Sequence, residues 1–364
     1  MKLNIAFFGS SLVSSYWNGA ATYYRGIIRA LAERGHTVTF YEPDAFDRQK
    51  HRDMEDPSWA RVRVYQPTEE AALAQLKEAA KADIVVKASG VGVLDEWLEQ
   101  AVLEYCGDST TIFWDVDAPA TLARVKENAN DPFRELIPEY DMVLTYGGGN
   151  PVIDEYTKLG AQYCQPIYNA LDPSTHHPVE PDSRFSSALL GFLGNRLPDR
   201  EARVKEFFFK PAQQLHDKQF LLGGSGWEDV AQTIPNLDYA GHIYTRDHNA
   251  FNCSPLAVLN INRDSMAATG FSPPTRVFEA AGAAACLIMD YWQGVEQFLE
   301  PDTEVLVARN GDEVTAHLQN LSVERAKSIG QAARARVLAE HTYSHRAEQF
   351  EQIMKAERTS RAYV

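Results

Sequence analysis

Apolar and polar positions along this chain follow two alternating regimes. Short apolar runs end at glycine, serine or aspartate, and longer stretches with apolar residues at helical spacing follow them. Residues 3–8 form such a run, close on Gly9-Ser10-Ser11, and fit a buried parallel strand. In residues 20–35, Ala20, Tyr24, Ile27, Ile28 and Leu31 share one helical face, and Gly35 is a suitable stop. Residues 37–41 read as a second strand, so the chain opens as a Rossmann-like β-loop-α-β unit. The cycle then predicts strands at 61–65, 83–87, 110–114, 141–145 and 161–167. Helices are predicted at 69–81, 94–105, from about 119, and at 151–159. Residues 171–183 (LDPSTHHPVEPDS) hold three prolines and no periodicity, and read as a linker between domains. The pattern restarts with strands at 188–193, 220–222, 237–240, 257–261, 287–290 and 304–308. Its helices fall at 201–215, 313–319, 324–339 and 345–356. The expected architecture is α/β: doubly wound domains at 1–170 and 184–344, a linker at 171–183, and a C-terminal helical segment at 345–364. A chain of 364 residues is long enough for both domains.

The richest candidate chemistry lies at 259–279, where an apolar strand leads through a small-residue loop (267–270) into a helix start. Ser272 can N-cap that helix, and Pro273 suits its first turn. Thr275 and Arg276 then join free backbone N–H groups in an anion site. Glu279, about one turn on, is placed to accept hydrogen bonds from hydroxyls beside that anion. Phosphate plus diol is the signature of a nucleotide or nucleotide sugar. The same spacing also serves a plain loop–helix junction in which Arg276 pairs with a surface carboxylate. Gly194-Asn195-Arg196, followed by Arg200, is a second phosphate-facing arrangement. There the competing reading pairs both arginines with Asp199 and Glu201. Trp227 can stack on a base or fill the core. Asp115 and Asp117 end a strand, where open α/β sheets bind ligands, although Asp117 can equally cap the next helix. The three glycines at 147–149 allow close backbone approach or a simple turn. The first strand-helix loop lacks a complete G-x-G-x-x-G, and Gly19 alone explains a tight turn there. His176 and His177 read as solvated linker residues, with no other histidine at ligand spacing, so no metal site is expected.

Composition narrows the partners. Hydrophobic residues make up 45% and charged residues 23%, a globular balance. No apolar run approaches the roughly 20 residues that span a bilayer, and the N-terminus reads as a first strand rather than a signal peptide. Four cysteines without a C-x-x-C pair fit free thiols in a reducing cytoplasm. A net charge of −15 argues against general nucleic-acid binding and against adhesion to anionic membranes.

The run PTRVFEAAGAAACLIMDYWQGVEQFLEPDTEVLV resembles the C-terminal donor-binding segment of glycosyltransferases with the GT-B fold. LNINR…PPTRVFEAAGAA further resembles the CgeB-type, spore-maturation branch of family 1 and family 4-like transferases. The resemblance implies two Rossmann-like doubly wound domains facing a central cleft, with the last helix packing back on the first domain. It implies a nucleotide-diphospho sugar as donor, no further cofactor, no bound metal and retention of configuration; the acceptor is left open. Glu279 would hold the donor ribose. Relatives carry a second Glu eight residues earlier, where this chain has Phe271. Gly194, Asn195, Arg196 and Arg200 match a diphosphate-binding stretch, and Tyr244 and Arg263 match nucleotide- or phosphate-contacting positions. The loop at Gly19 would face the cleft near the donor phosphate and acceptor. Asp117 corresponds to a sugar-contacting side chain and is the candidate catalytic residue. Three other readings stay open: a nucleotide-sugar epimerase of the same fold, an NAD(P)-dependent oxidoreductase and a non-catalytic sugar-binding scaffold.

Overall fold

The computed structural model describes residues 2–16, 18–185 and 188–362, with backbone only for 358–362. The last two positions of the expected C-terminal segment lie outside the described residues. The chain divides into two units: Met1–Asn169 together with the segment from Tyr343, and Ala170–Thr342.

The first unit is built on seven strands: β1 (Asn4–Phe8), β2 (Thr37–Pro43), β3 (Arg61–Tyr65), β4 (Ile84–Ala88), β5 (Thr110–Asp115), β6 (Met142–Thr145) and β7 (Cys164–Pro166). All pairings are parallel, in the order β3-β2-β1-β4-β5-β6-β7. The order reverses between β1 and β4, the doubly wound signature predicted from the repeating strand–helix pattern. Both faces are covered, so the inner strands are apolar almost throughout; Ile84, Val85, Val86 and Ala88 are all buried. The C-terminal helix Tyr343–Ala362 packs in this unit. Phe350 stacks on Trp114 at 5.9 Å, and Glu351 takes Arg34 at 2.8 Å and His36 at 3.1 Å. A side chain at Gly26 would collide with the Tyr343 ring, which sets how closely this helix approaches helix Ala21–Glu33.

The second unit holds β8 (Leu190–Leu193), β9 (Phe220–Gly223), β10 (Leu237–Gly241), β11 (Ala257–Asn260), β12 (Leu287–Asp290) and β13 (Leu306–Ala308). The order is β10-β9-β8-β11-β12-β13, again all parallel, with the switch point between β8 and β11. Its core includes Phe192, Phe208, Phe220, Trp227 and Ile288.

Four expectations are corrected or refined here. Residues 171–183 are folded onto the second unit rather than forming a free linker. Leu171 bridges to Thr342, and a Cβ on Gly282 would strike the Leu171 side chain. The helix expected at 201–215 is present over residues 198–214, but a π segment (Lys205–Phe209) separates its α segments Pro198–Val204 and Lys210–Gln214. Pro211 has no N–H to complete the α ladder, and the wider turn buries Phe207, Phe208 and Phe209 together. The loop expected at 267–270 is mostly the short helix Asp264–Thr269. Finally, Ser272 is no cap: its Oγ donates to Gly270 O, and the helix Thr275–Gly282 begins after Pro274.

Candidate functional site

The carboxyl ends of β8 and β11 flank the switch point of the second unit, where open α/β sheets place their ligands. β8 runs into Gly194 and Asn195, and β11 into Asn262 and Arg263. Gly194 N–H donates to Gly223 O and Gly224 N–H to Gly241 O, which stitches three strand-end loops together. Gly224 has φ +120°, and a Cβ there would lie 2.2 Å from Gly194 O, so both the conformation and the close approach require glycine. Asn195 faces inward to this framework: its Oδ1 accepts the Ser225 N–H at 3.0 Å.

The two arginines after β8 have different environments. Arg196 is engaged by Glu201 at 2.8 Å and Asp229 at 2.9 Å, which makes it a surface ion-pair residue. Arg200 has no ion pair among the described residues. Its Nη2 donates to Asn195 O at 2.6 Å, its Nε is buried without a partner, and its guanidinium lies over the Phe192 ring. A Cβ on Gly194 would meet that guanidinium at 2.7 Å. Burial, followed by the Arg276 charge, lowers the Arg200 pKa to about 10; Arg263 pushes the same way, against Asp199. Arg200, Arg263 and Arg276 are thus near enough to feel one another's charge, although Arg276 also has Glu279 3.7 Å away. Arg263 pairs with Asp199 at 2.5 Å.

Helix Thr275–Gly282 carries Thr275, Arg276 and Glu279, and no side chain caps its start. Thr275 and Arg276 are half-buried, whereas Glu279 is buried. Arg276 lies 3.7 Å from Glu279 Oε2, not beside a separate surface carboxylate. The neighbouring His176, then His248 and Arg276, hold the Glu279 carboxyl far below the usual range despite its burial. His176 is thus not a solvated linker residue: it is buried 3.9 Å from Glu279, while His177 is exposed. The second unit takes in one histidine of the pair, beside Glu279 and His248, and leaves the other outside. Phe271, at the position of the missing carboxylate, adopts φ +46°, and its ring is packed so close to Gly294 that a Cβ there would overlap it.

Other predicted positions serve the scaffold, stand exposed or belong to the first unit. Trp227 is fully buried, and its Nε1 donates to Gly194 O, so it fills the core and does not stack on a base. Tyr244 is 61% exposed, edge-on to His242 with Arg246 over its ring. Gly19, in the first unit, has an ordinary backbone, and a side chain there would meet nothing within 4 Å, so the turn does not need glycine. Asp117 stands at the N-cap of helix Ala118–Glu127 but makes no side-chain capping bond. Asp115 is a structural node. One oxygen accepts from Ser89 Oγ, Asp117 N–H and Thr121 Oγ1, and the other from Tyr156 Oη at 2.5 Å.

Sequence reasoning missed Asn260, Asn262 and Asp290. Asn262 donates to Ser272 O and takes Asp290 Oδ1 on its backbone N–H, while Asp290 also holds Arg203. Asn260 Nδ2 and Asn262 Oδ1 are buried without partners among the described residues, beside the switch point. Polar residues two apart at the end of an apolar strand were the available signal.

A family model described as Glycosyl transferase-like matches residues 200–352. Sucrose-phosphate synthase (tll1590) from Thermosynechococcus elongatus aligns at a TM-score of 0.72 and 14% identity, covering 98% of this chain and 99% of that one. Anabaena Alr3699/HepE, solved in complex with UDP and glucose, aligns at 0.65 and 11% identity over 97% of this chain and 100% of its own. An alpha-glucosyltransferase in complex with UDP-glucose and DNA containing an abasic site aligns at 0.70 and 11%, covering 97% and 100%. A search of curated proteins finds no match. At these identities the structural likeness is one of fold. The chain thus has the GT-B fold of these structures, and its residues 200–352 are similar to the Glycosyl transferase-like family.

Proposed function

We propose that the protein is a glycosyltransferase whose second unit binds a nucleoside-diphospho sugar at the β8–β11 switch point. The observation that carries this reading is Arg200: a buried guanidinium without a carboxylate partner, held against Asn195 O and the Phe192 ring just past the end of β8 and within the influence of the Arg276 and Arg263 charges. A diphosphate placed there relieves their mutual repulsion. It also gains charge-assisted hydrogen bonds where charge grows as the glycosyl bond breaks. The three cations then do at the leaving group what a metal does in other transferases, so the transfer is proposed to need none. Glu279, held ionised, accepts from the ribose hydroxyls. Tyr244 is exposed enough to lie against the base. Asp117 remains the candidate group near the sugar, and retention of configuration follows from the family 4-like resemblance. The neighbours solved with UDP or UDP-glucose make a UDP-sugar the first donor to try.

The test is calorimetric titration with UDP, GDP, dTDP, CDP and NAD(P) without added metal, then turnover with the sugar form of the tightest binder. Saturable binding of one nucleoside diphosphate is expected. Binding of a dinucleotide alone would replace this reading with an oxidoreductase. Tight binding without donor hydrolysis or transfer would favour the scaffold, which Phe271 at the usual carboxylate position supports.

A further inference from the structure

Three buried side chains from separate stretches of the second unit converge without bonding one another. His176 comes from the proline-rich segment, His248 opens helix His248–Cys253, and Glu279 lies in helix Thr275–Gly282. They are 4%, 8% and 6% exposed. His176 Nε2 is 3.9 Å from Glu279 Oε1, and His248 Nδ1 is 3.8 Å from Glu279 Oε2. One nitrogen from each ring and a carboxylate oxygen all lie within 4.8 Å of one another. These separations are too long for hydrogen bonds. His176 Nε2, His248 Nδ1 and Glu279 Oε2 have no hydrogen-bond partner among the described residues. Buried polar atoms are normally satisfied, so three unsatisfied ones at a single point call for a shared occupant.

Water and a metal ion are the two candidates, and each has a characteristic spacing of partners. Partners of one water at about 2.8 Å stand roughly 4.6 Å apart. Ligands of a tetrahedral ion at about 2.0–2.1 Å stand roughly 3.4 Å apart. The separations of 3.9 Å to Oε1 and 3.8 Å to Oε2 fall between the two spacings, so it is the donor set, two imidazoles and a carboxylate, that favours the ion. The other nitrogen of His176 has the supporting contact a metal ligand needs. His176 Nδ1 is 2.9 Å from Thr175 Oγ1, which is itself 3.2 Å from Asp172 O. With the Thr175 hydroxyl donating to that carbonyl, Nδ1–H donates to Thr175, and Nε2 keeps its lone pair toward the centre.

We propose that His176 Nε2, His248 Nδ1 and the Glu279 carboxylate bind one zinc ion, with the fourth tetrahedral position open to water. Two imidazoles and a carboxylate are a donor set zinc takes, and the site in this structure holds no ion. Arg276 stands 3.7 Å from Glu279 Oε2, but its side chain is 39% exposed, so water meets its charge. Zinc would pin the 171–183 segment and helix His248–Cys253 to the helix bearing Arg276 and Thr275. A carboxylate has about four lone-pair sites, so ligation leaves Glu279 capacity for hydroxyl donors. The site does not depend on the transferase reading.

The test strips the purified full chain with a chelator and titrates it with cobalt(II). One equivalent should bind with the intense visible bands of tetrahedral cobalt, and zinc should displace it. H176A and H248A should each weaken binding ten-fold or more, while H177A, altering the exposed neighbour, should not. A folded wild-type chain with no saturable tetrahedral band overturns the proposal, and so does equal affinity in both histidine variants. The wild-type spectrum needs no variant, so a variant that misfolds does not shelter the idea. Cobalt binding without nucleoside-diphosphate binding would sink the transferase reading and leave the zinc site standing; the converse result would do the opposite.

Discussion

Arg196 and Arg200 share a loop yet differ in what faces them, and that difference decides their expected roles. Arg200→Ala should weaken nucleoside-diphosphate binding about 10–100-fold, the scale of one or two lost charge-assisted bonds. It should leave the melting temperature unchanged or raised, because burial and neighbouring cations already oppose this charge. Arg196→Ala should stay within about three-fold in calorimetric affinity, since its partners are Glu201 and Asp229. If Arg196→Ala is the variant that loses binding, the anion site is misplaced. Gly224→Ala should cost about 2 kcal/mol or more in denaturant unfolding, from the strained φ and the clash with Gly194 O. That Arg276 and Glu279 share one helix about a turn apart was legible in helical spacing alone. The split between Arg196 and Arg200 was not, because Asp229 is distant in sequence and only the folded loops bring it to Arg196. The same distance hid the approach of His176 and His248 to Glu279.

Elements were legible where apolar spacing was long and regular; β3 and β12 begin and end at the predicted residues. Short helices such as Asp264–Thr269 escaped, because six residues with small side chains carry less than two turns of pattern. Within the first unit, Asp115 shows why a carboxylate at a strand end need not be a ligand group. Its four donors leave no room for another role, and Asp115→Asn should lower stability by about 2–3 kcal/mol. A melting-temperature drop of about 5–10 °C would register it. The C-terminal helix offers a pH test. The hydrogen bond from Arg34, with help from His36, holds the Glu351 carboxyl at about 2. A depressed carboxylate contributes its stabilisation above its unfolded pKa of about 4.3 and loses it as pH falls through the folded value. The gap in melting temperature between wild type and Glu351→Gln should therefore be full at pH 7 and close between about pH 4.5 and 2. A gap that persists at pH 2 would mean the bond is not the source.

For the molecule as a whole, strand–helix alternation announced two doubly wound sheets, and both have the reversed order that such winding produces. What alternation could not announce is that chain order and unit order differ. The helix from Tyr343 belongs with the first sheet, so the second unit is enclosed by the first along the chain. Truncation after Thr342 should therefore lower the stability of the first unit, which loses the Phe350 stack and the Glu351 ion pairs. UDP affinity should survive, and hydrogen exchange should show ligand protection confined to the ends of β8 and β11. Loss of UDP binding on truncation would place the donor site elsewhere. The bridge between Leu171 and Thr342, reinforced by Leu171 N–H to His341 O, has a practical corollary. Because the entry and exit strands of residues 170–342 are already held side by side, that stretch has the geometry of an exchangeable cassette. It can be excised at two adjacent cuts, circularised by a short peptide, or swapped for the matching piece of a chain with the same fold while the rest of the sequence stays as it is.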